Sequence, residues 1–171
     1  MDGSMEGCRI CSQRSQVAAS ELTVDYAKHL GQGTFGAVYK GSWGGRVVAV
    51  KMGLQAYDVS SMQKEIRAMQ ACPSPYLMQL LGVTTSPPIH LVLEFMDGGD
   101  LRGYLDKKSR GEAVPVEYST LEVAWVVANA LADLHNAGLL HRDLKSHNVL
   151  LSSTSYIKVA DRRECAGRHV H

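Results

Sequence analysis

Eight consecutive residues, His141-Arg142-Asp143-Leu144-Lys145-Ser146-His147-Asn148, place a carboxylate, an ammonium and a carboxamide within six positions. In-line phosphoryl transfer asks for those groups: a carboxylate beside the attacking hydroxyl, a cation to offset charge and an amide oxygen for a metal ion. A second segment, Gly31-Gln32-Gly33-Thr34-Phe35-Gly36-Ala37-Val38, has the spacing G-x-G-x-x-G-x-V. Its glycines would let backbone N–H groups approach phosphate oxygens with no Cβ in the way. By itself this pattern also fits a plain glycine hairpin or a dinucleotide-binding turn. In a dinucleotide fold the last glycine opens a helix, whereas here Ala37-Val38-Tyr39-Lys40 runs on as a strand, which argues against that reading. A third segment, Val48-Ala49-Val50-Lys51, ends an apolar run on a lysine. Alone, Lys51 reads as a solvent-facing terminal charge. Paired with Glu65 from the next helix, its ammonium would be held to bind two phosphates of a nucleotide.

The elements that must position these groups are legible from period and punctuation. Residues 22–30, 37–40 and 47–51 are strand-like, the last two joined at Trp43-Gly44-Gly45 as a hairpin. Residues 60–71 predict a helix with Met62, Ile66 and Met69 on one face, Ser60 and Gln63 as a capping box, and Pro73 and Pro75 beyond its end. Residues 77–83 and 89–95 are short apolar strands around Ser86-Pro87-Pro88, and a short helix is expected from Asp100. Residues 119–136 predict a long helix, with Leu121, Trp125, Ala128, Leu131, Ala132 and Leu134 as its apolar stripe and Gly138 as its stop. Residues 149–151 and 156–159 form a last hairpin; there are no internal repeats.

Composition narrows little. The chain has 171 residues, 45% hydrophobic and 20% charged, with a formal net charge of +1. Those are ordinary values for one globular domain, and such a charge favours no nucleic-acid partner. No apolar run nears the roughly 20 residues of a membrane span, and residues 1–20 lack the apolar core of a signal peptide. A soluble, cytoplasmic protein is expected. Cys8 and Cys11 form a C-x-x-C pair without a second pair at zinc spacing, so unpaired thiols are the simpler reading.

In this order the motifs resemble those of eukaryotic protein kinases, from about residue 22 to residue 161. Gly-Thr-Phe-Gly-Ala-Val-Tyr-Lys-Gly and His-Arg-Asp-Leu-Lys-Ser-His-Asn are similar to the tyrosine-kinase-like group of serine/threonine kinases. The resemblance implies an α+β, bilobal protein-kinase-like fold. A flexible leader would cover 1–21, an N-lobe of antiparallel sheet plus one helix about 22–96, the first part of a helical C-lobe 97–161, and a basic tail outside the family 162–171. It implies ATP and Mg2+ as cofactors, and protein serine or threonine hydroxyls as acceptors in signal transduction.

The resemblance also implies roles. Gly31, Gly33 and Gly36 would cover the phosphates, and Lys51, held by Glu65, would bind them. Val38 and Ala49 would lie above the adenine and Leu150 below it. Leu93 would be the gatekeeper, Glu94 and Met96 would meet adenine through backbone groups, and Asp100 would touch ribose. Asp143 would be the catalytic base, and Lys145 would steady the phosphoryl group and mark serine/threonine specificity. Asn148 and Asp161 would hold magnesium, with the lysine, both aspartates and the asparagine converging on one cleft.

The pattern breaks after Asp161. The family reads Asp-Phe-Gly where this chain reads Asp161-Arg162-Arg163. The phenylalanine would complete an apolar stack of Leu80, Met69 and His141, and a guanidinium buried there costs several kcal/mol unless paired. The glycine hinge is lost as well. No activation segment or substrate platform follows in the sequence, so the stripe of the long helix is expected to be exposed around Trp125 and Leu131. Phosphotransferase activity is expected to be negligible, the alternative being a non-catalytic nucleotide-binding or interaction module.

Overall fold

Two glycines make a tight turn in the first sheet. Gly44 and Gly45 both take positive φ, 56° and 77°, as a two-residue hairpin turn of the type that matches strand twist requires. They join β3, Gly36–Trp43, to β4, Arg46–Met52, in unbroken register from Trp43 opposite Arg46 to Ala37 opposite Met52. The computed structural model describes residues 15–33, 36–53, 59–85 and 88–160. Cys8, Cys11, Thr34, Phe35, Cys165, Asp161 and the Arg162-Arg163 departure lie outside the described residues, as does the side chain of Ser60 in the expected capping box.

Four further strands complete this sheet: β1, Ser15–Val17, β2, Leu22–Gly33, β5, Leu80–Thr84, and β6, His90–Glu94. Their order is β1-β5-β6-β4-β3-β2. All strand pairs with a known register are antiparallel except β1 with β5, which is parallel. The parallel pair adds one edge strand, from residues 15–17 of the expected leader, to the antiparallel sheet that was expected. Val17 is fully buried with Val48, Val50 and Val92, so residues 15–17 belong to the sheet. Three residues are too few for strand alternation to show in a sequence.

Strand periodicity sorts β4 into two faces. Val48, Val50 and Met52 join the apolar cluster with Leu22, Val24 and Leu81, which turns Ala49 and Lys51 to the opposite face.

A second unit comprises Asp58–Gln79 and Glu94–His171, the first being Met1–Tyr57 with Leu80–Leu93. The helix expected to accompany the sheet, α1, Val59–Ala71, thus groups with the second unit. The reason lies just past its end: Cys72 and Leu77 are buried with Ala130, Leu134, Leu139 and Val159. Met62, Ile66 and Met69 are buried on one face, as their spacing predicts.

The rest of the second unit is α2, Leu101–Ser109, α3, Thr120–Asn136, and the hairpin of β7, Val149–Leu151, with β8, Ile157–Val159. Helix α3 starts on a capping box: Ser119 Oγ accepts from Glu122 N at 3.2 Å, and Glu122 Oε2 accepts from Ser119 N at 2.7 Å. Gly138, φ 70°, follows its end. Of the expected stripe, Leu134 is buried and Leu131 half-buried. Ala130 and Leu134 are buried, flanked by Val123, Val126 and Val127, while Leu121 is 82% and Trp125 65% exposed. Apolar residues lie on both sides of the helix, so period alone missed Ala130 as a packed position; exposure at Trp125 does match expectation.

Candidate active site

In the first unit, register builds a row across three strands. Gly31 stands opposite Val38 and Val38 opposite Lys51, and directly paired residues share a sheet face. Ala49, two residues from Lys51, lies on that face too. Val38, Ala49 and Lys51 therefore line one surface, with Gly31 contributing only backbone. A Cβ added at Gly31 would meet nothing within 4 Å, whereas one at Gly36 would lie 2.2 Å from the Met52 carbonyl oxygen. Gly36 also has φ 154°, so steric demand explains that glycine. The open space over Gly31 is what a phosphate-approaching backbone needs. Gly33 ends β2 opposite Gly36. Lys51 is buried, on β4 in this unit, and Glu65 is half-buried on α1 in the second.

In the second unit the loop between α3 and β7 is held by side chains. Asn148 Nδ2 donates to the Asp143 carbonyl at 2.7 Å and lies 3.3 Å from Asp143 Oδ2. Lys145 Nζ is 3.0 Å from Asp143 Oδ2. His141 Nε2 is 2.7 Å from the Ala160 carbonyl, and its Nδ1 is 3.3 Å from Asp143 N. A carbonyl can only accept, so Nε2 carries the ring proton and Nδ1 accepts from the Asp143 amide. Ala160 N donates to the Asn148 carbonyl at 2.8 Å, and Asn148 N to the Lys145 carbonyl at 2.9 Å. Between His141 and Asp143, Arg142 has φ 63°, a conformation costing a side-chain-bearing residue about 1–3 kcal/mol and tolerated where surroundings over-determine it.

Asp143, Lys145 and Asn148 are thus brought together. With both half-exposed, the Lys145–Asp143 pair contributes up to about 1 kcal/mol of stability, so orientation is its main yield. With Asn148 Nδ2 committed, Oδ1 is the amide atom that can face a cation. A hard oxygen donor beside a carboxylate suits Mg2+, and the open glycine row with Lys51 suits a nucleotide's phosphates. Asn148 could therefore hold the metal, and Gly31 with Lys51 the phosphates.

The residues expected around adenine and ribose have structural duties as well. Glu94 and Met96 are buried, and Glu94 N donates to the Gln79 carbonyl at 3.1 Å. Leu150 is half-buried and forms an isolated bridge with Asp100. Asp100 caps α2, its Oδ1 accepting from Gly103 N at 2.8 Å. One of its two carboxylate oxygens is already spent before any ribose is considered. Just beyond Met96, Asp97 accepts from Ser153 N at 2.8 Å and from Ser153 Oγ, which holds its carboxyl below the ordinary range.

Sequence reasoning passed over Lys158. It reads there as one member of an apolar strand, yet its Nζ lies 2.7 Å from Glu94 Oε1 with both side chains largely buried. The one available signal was a charge between Ile157 and Val159 with another at the end of the apolar run His90–Glu94.

Comparison with known proteins agrees with these motifs. The family described as protein tyrosine and serine/threonine kinase matches residues 24–163. The chain is 38% identical over 150 residues to leaf rust 10 disease-resistance locus receptor-like protein kinase-like 1.4 of Arabidopsis thaliana, covering 82% of this chain and 22% of that protein. Serine/threonine-protein kinase VIK of Arabidopsis thaliana is 34% identical, with 85% of this chain and 35% of that one covered. Tyrosine-protein kinase ABL2 of Mus musculus is 38% identical over 139 residues, covering 78% and 12%. The chain spans about a fifth to a third of the length of the two plant relatives. With its sheet, its helices and its ordered motifs, this chain belongs to the protein tyrosine and serine/threonine kinase family.

Proposed function

We propose that this chain carries the nucleotide-binding and phosphoryl-transfer residues of an ATP-dependent serine/threonine protein kinase acting in signal transduction, and that as a chain of 171 residues it transfers phosphate negligibly. The observation that carries the reading is the bonded group of Asp143, Lys145 and Asn148. Bound Mg-ATP would supply the phosphoryl group and, through the metal, neutralise its charge. Asp143 would take the proton from an acceptor hydroxyl. Lys145, already beside that carboxylate, would offset charge on the transferred group. Asn148 and Asp161 would hold the metal, and Gly31, Gly33, Gly36 and Lys51 the phosphates, with Glu65 steadying the lysine. Val38, Ala49 and Leu150 would enclose the base, Glu94 and Met96 would bond it, and Asp100 would meet the ribose with its second oxygen.

Lys145 supports a serine or threonine acceptor, because the motif it completes resembles that group. Negligible transfer rests on Arg162-Arg163, which supply neither the apolar ring nor the hinge of the usual Phe-Gly. The experiment is label transfer from ATP to a generic basic protein. No transfer above that of Asp143→Asn is expected; transfer that Asp143→Asn abolishes would contradict inactivity.

Arg162-Arg163 also favours a second reading, a non-catalytic module that holds nucleotide and docks a partner. Arg162→Phe combined with Arg163→Gly separates the two. Gain of transfer on the combined change supports the kinase reading, and tight Mg-ATP binding with no gain supports the module.

A further inference from the structure

Lys158 is a buried cation that none of the roles above uses. It stands in β8 with its side chain 12% exposed, and its Nζ lies 2.7 Å from Glu94 Oε1, on a side chain 9% exposed. The same Oε1 accepts from Gln79 N at 2.7 Å, and Lys158 Nζ reaches the Leu77 carbonyl at 3.5 Å. Glu94 is therefore fastened twice, by its amide to the Gln79 carbonyl and by its carboxylate to Gln79 and Lys158.

Val159, which ends the strand, and Ala160 beyond it carry the connection onward. Val159 N donates to the Tyr76 carbonyl at 2.8 Å, and the Val159 carbonyl accepts from Met78 N at 2.9 Å. Ala160 N donates to the Asn148 carbonyl at 2.8 Å, and the Ala160 carbonyl accepts from His141 Nε2 at 2.7 Å. Residues 158, 159 and 160 thus tie the Glu94 segment at one end to the Asp143 loop at the other. Apolar residues of similar volume would fill the space of a buried ion pair without its desolvation cost. What the charged pair adds is a directional bond that holds one backbone segment at a set place.

We infer that Lys158 is a positioning residue: through the Glu94 carboxylate it fixes the 94–96 backbone against which a purine would bond, and through its own strand it couples that segment to Asn148. The inference rests on the nucleotide-binding reading proposed above. Nothing in it depends on phosphate transfer.

Three variants of the full chain test it. Lys158→Met leaves the Glu94 carboxylate without its cation, and Lys158→Arg restores one. Glu94→Gln with Lys158→Met removes both charges yet keeps an acceptor for the Gln79 amide, so it remains informative should Lys158→Met fail to fold. Each is titrated with Mg-ATP and Mg-GTP, and amide hydrogen exchange is followed at Glu94 and Ala160. Lys158→Met and the double variant are expected to weaken Mg-ATP binding on the order of tenfold, to narrow its preference over Mg-GTP, and to speed exchange at both amides together. Lys158→Arg should recover most of each loss. Wild-type nucleotide preference and wild-type exchange in a folded double variant would overturn the inference, whatever happens to its melting temperature. Should the unaltered chain take up neither nucleotide, the functional reading falls, and the exchange comparison alone decides whether Lys158 couples the two segments.

Discussion

In β2 and β3 the groups proposed to meet a nucleotide are main-chain amides and a strand register, whereas between residues 141 and 148 they are side chains tied by hydrogen bonds to their neighbours. Gly36 has no side chain because the Met52 carbonyl occupies its place; Asn148 keeps its side chain because the Asp143 carbonyl needs its amide. A site built on backbone breaks when an atom is added. A site built on side chains breaks when one is taken away.

The largest effect should follow addition at the first site. Gly36→Val forces a branched side chain onto the Met52 carbonyl at φ 154°, and the loss is expected to be about 3 kcal/mol or more by urea denaturation. Gly31→Ala is the control on the same row: with open space around it, stability should change by no more than about 1 kcal/mol, while Mg-ATP binding weakens. Equal stability losses for the two would break the distinction between a steric glycine and a ligand-facing one.

Next comes removal at the second site. Asn148→Ala removes the amide from which the Asp143 carbonyl accepts and should cost about 1–3 kcal/mol. It should also remove the magnesium dependence of nucleotide binding. Asp143→Asn, which keeps shape at a half-exposed position, should leave the urea midpoint close to that of the unaltered chain. If Asn148→Ala proves as mild, the loop is not held in the way described.

Asp100 lies between these cases, since it makes a helix cap and is proposed to meet a ribose. Asp100→Ala should cost about 1 kcal/mol of stability. Asp100→Ser should restore the cap, and nucleotide affinity that stays low in that variant would assign the second carboxylate oxygen to the ligand.

The smallest effect is one of pH in the first unit. His90 Nε2 is buried without a hydrogen-bond partner among the described residues, and burial lowers its pKa below the ordinary value of 6.5. The unfolded chain then binds a proton more readily than the folded one. This contribution is fully present above pH 6.5 and is lost as pH falls below it, until the folded-state pKa is also passed. Urea midpoints measured from pH 7.5 down to pH 5 should fall less steeply in His90→Gln than in the unaltered chain; parallel slopes would remove His90 from the account.

These contrasts also explain what could be read in advance. The loop at 141–148 was legible because its chemistry is carried by side-chain types in a fixed order, and the hairpin at Gly44-Gly45 because its turn admits few residues. The burying face of α3 was legible only at Leu134, because Leu121 and Trp125 are at least as apolar as the buried Ala130, and only packing partners distinguish them. Strand β1 hid behind its length, with Val17 as its one core residue. Lys158 was missed since its partner, Glu94, is distant in sequence and no local period connects them. Side-chain pattern reports chemistry and local backbone; it is silent on which of two apolar faces finds a neighbour.

The central claim, as proposed above, is that Lys51 serves a nucleotide's phosphates and Asn148 its magnesium. Isothermal titration of the chain with ATP, with and without magnesium, tests it most directly. The account predicts saturable binding that needs the metal, disappears in Lys51→Met and loses its metal dependence in Asn148→Ala. A folded chain that takes up no ATP, or binds it equally well in both variants, would contradict it.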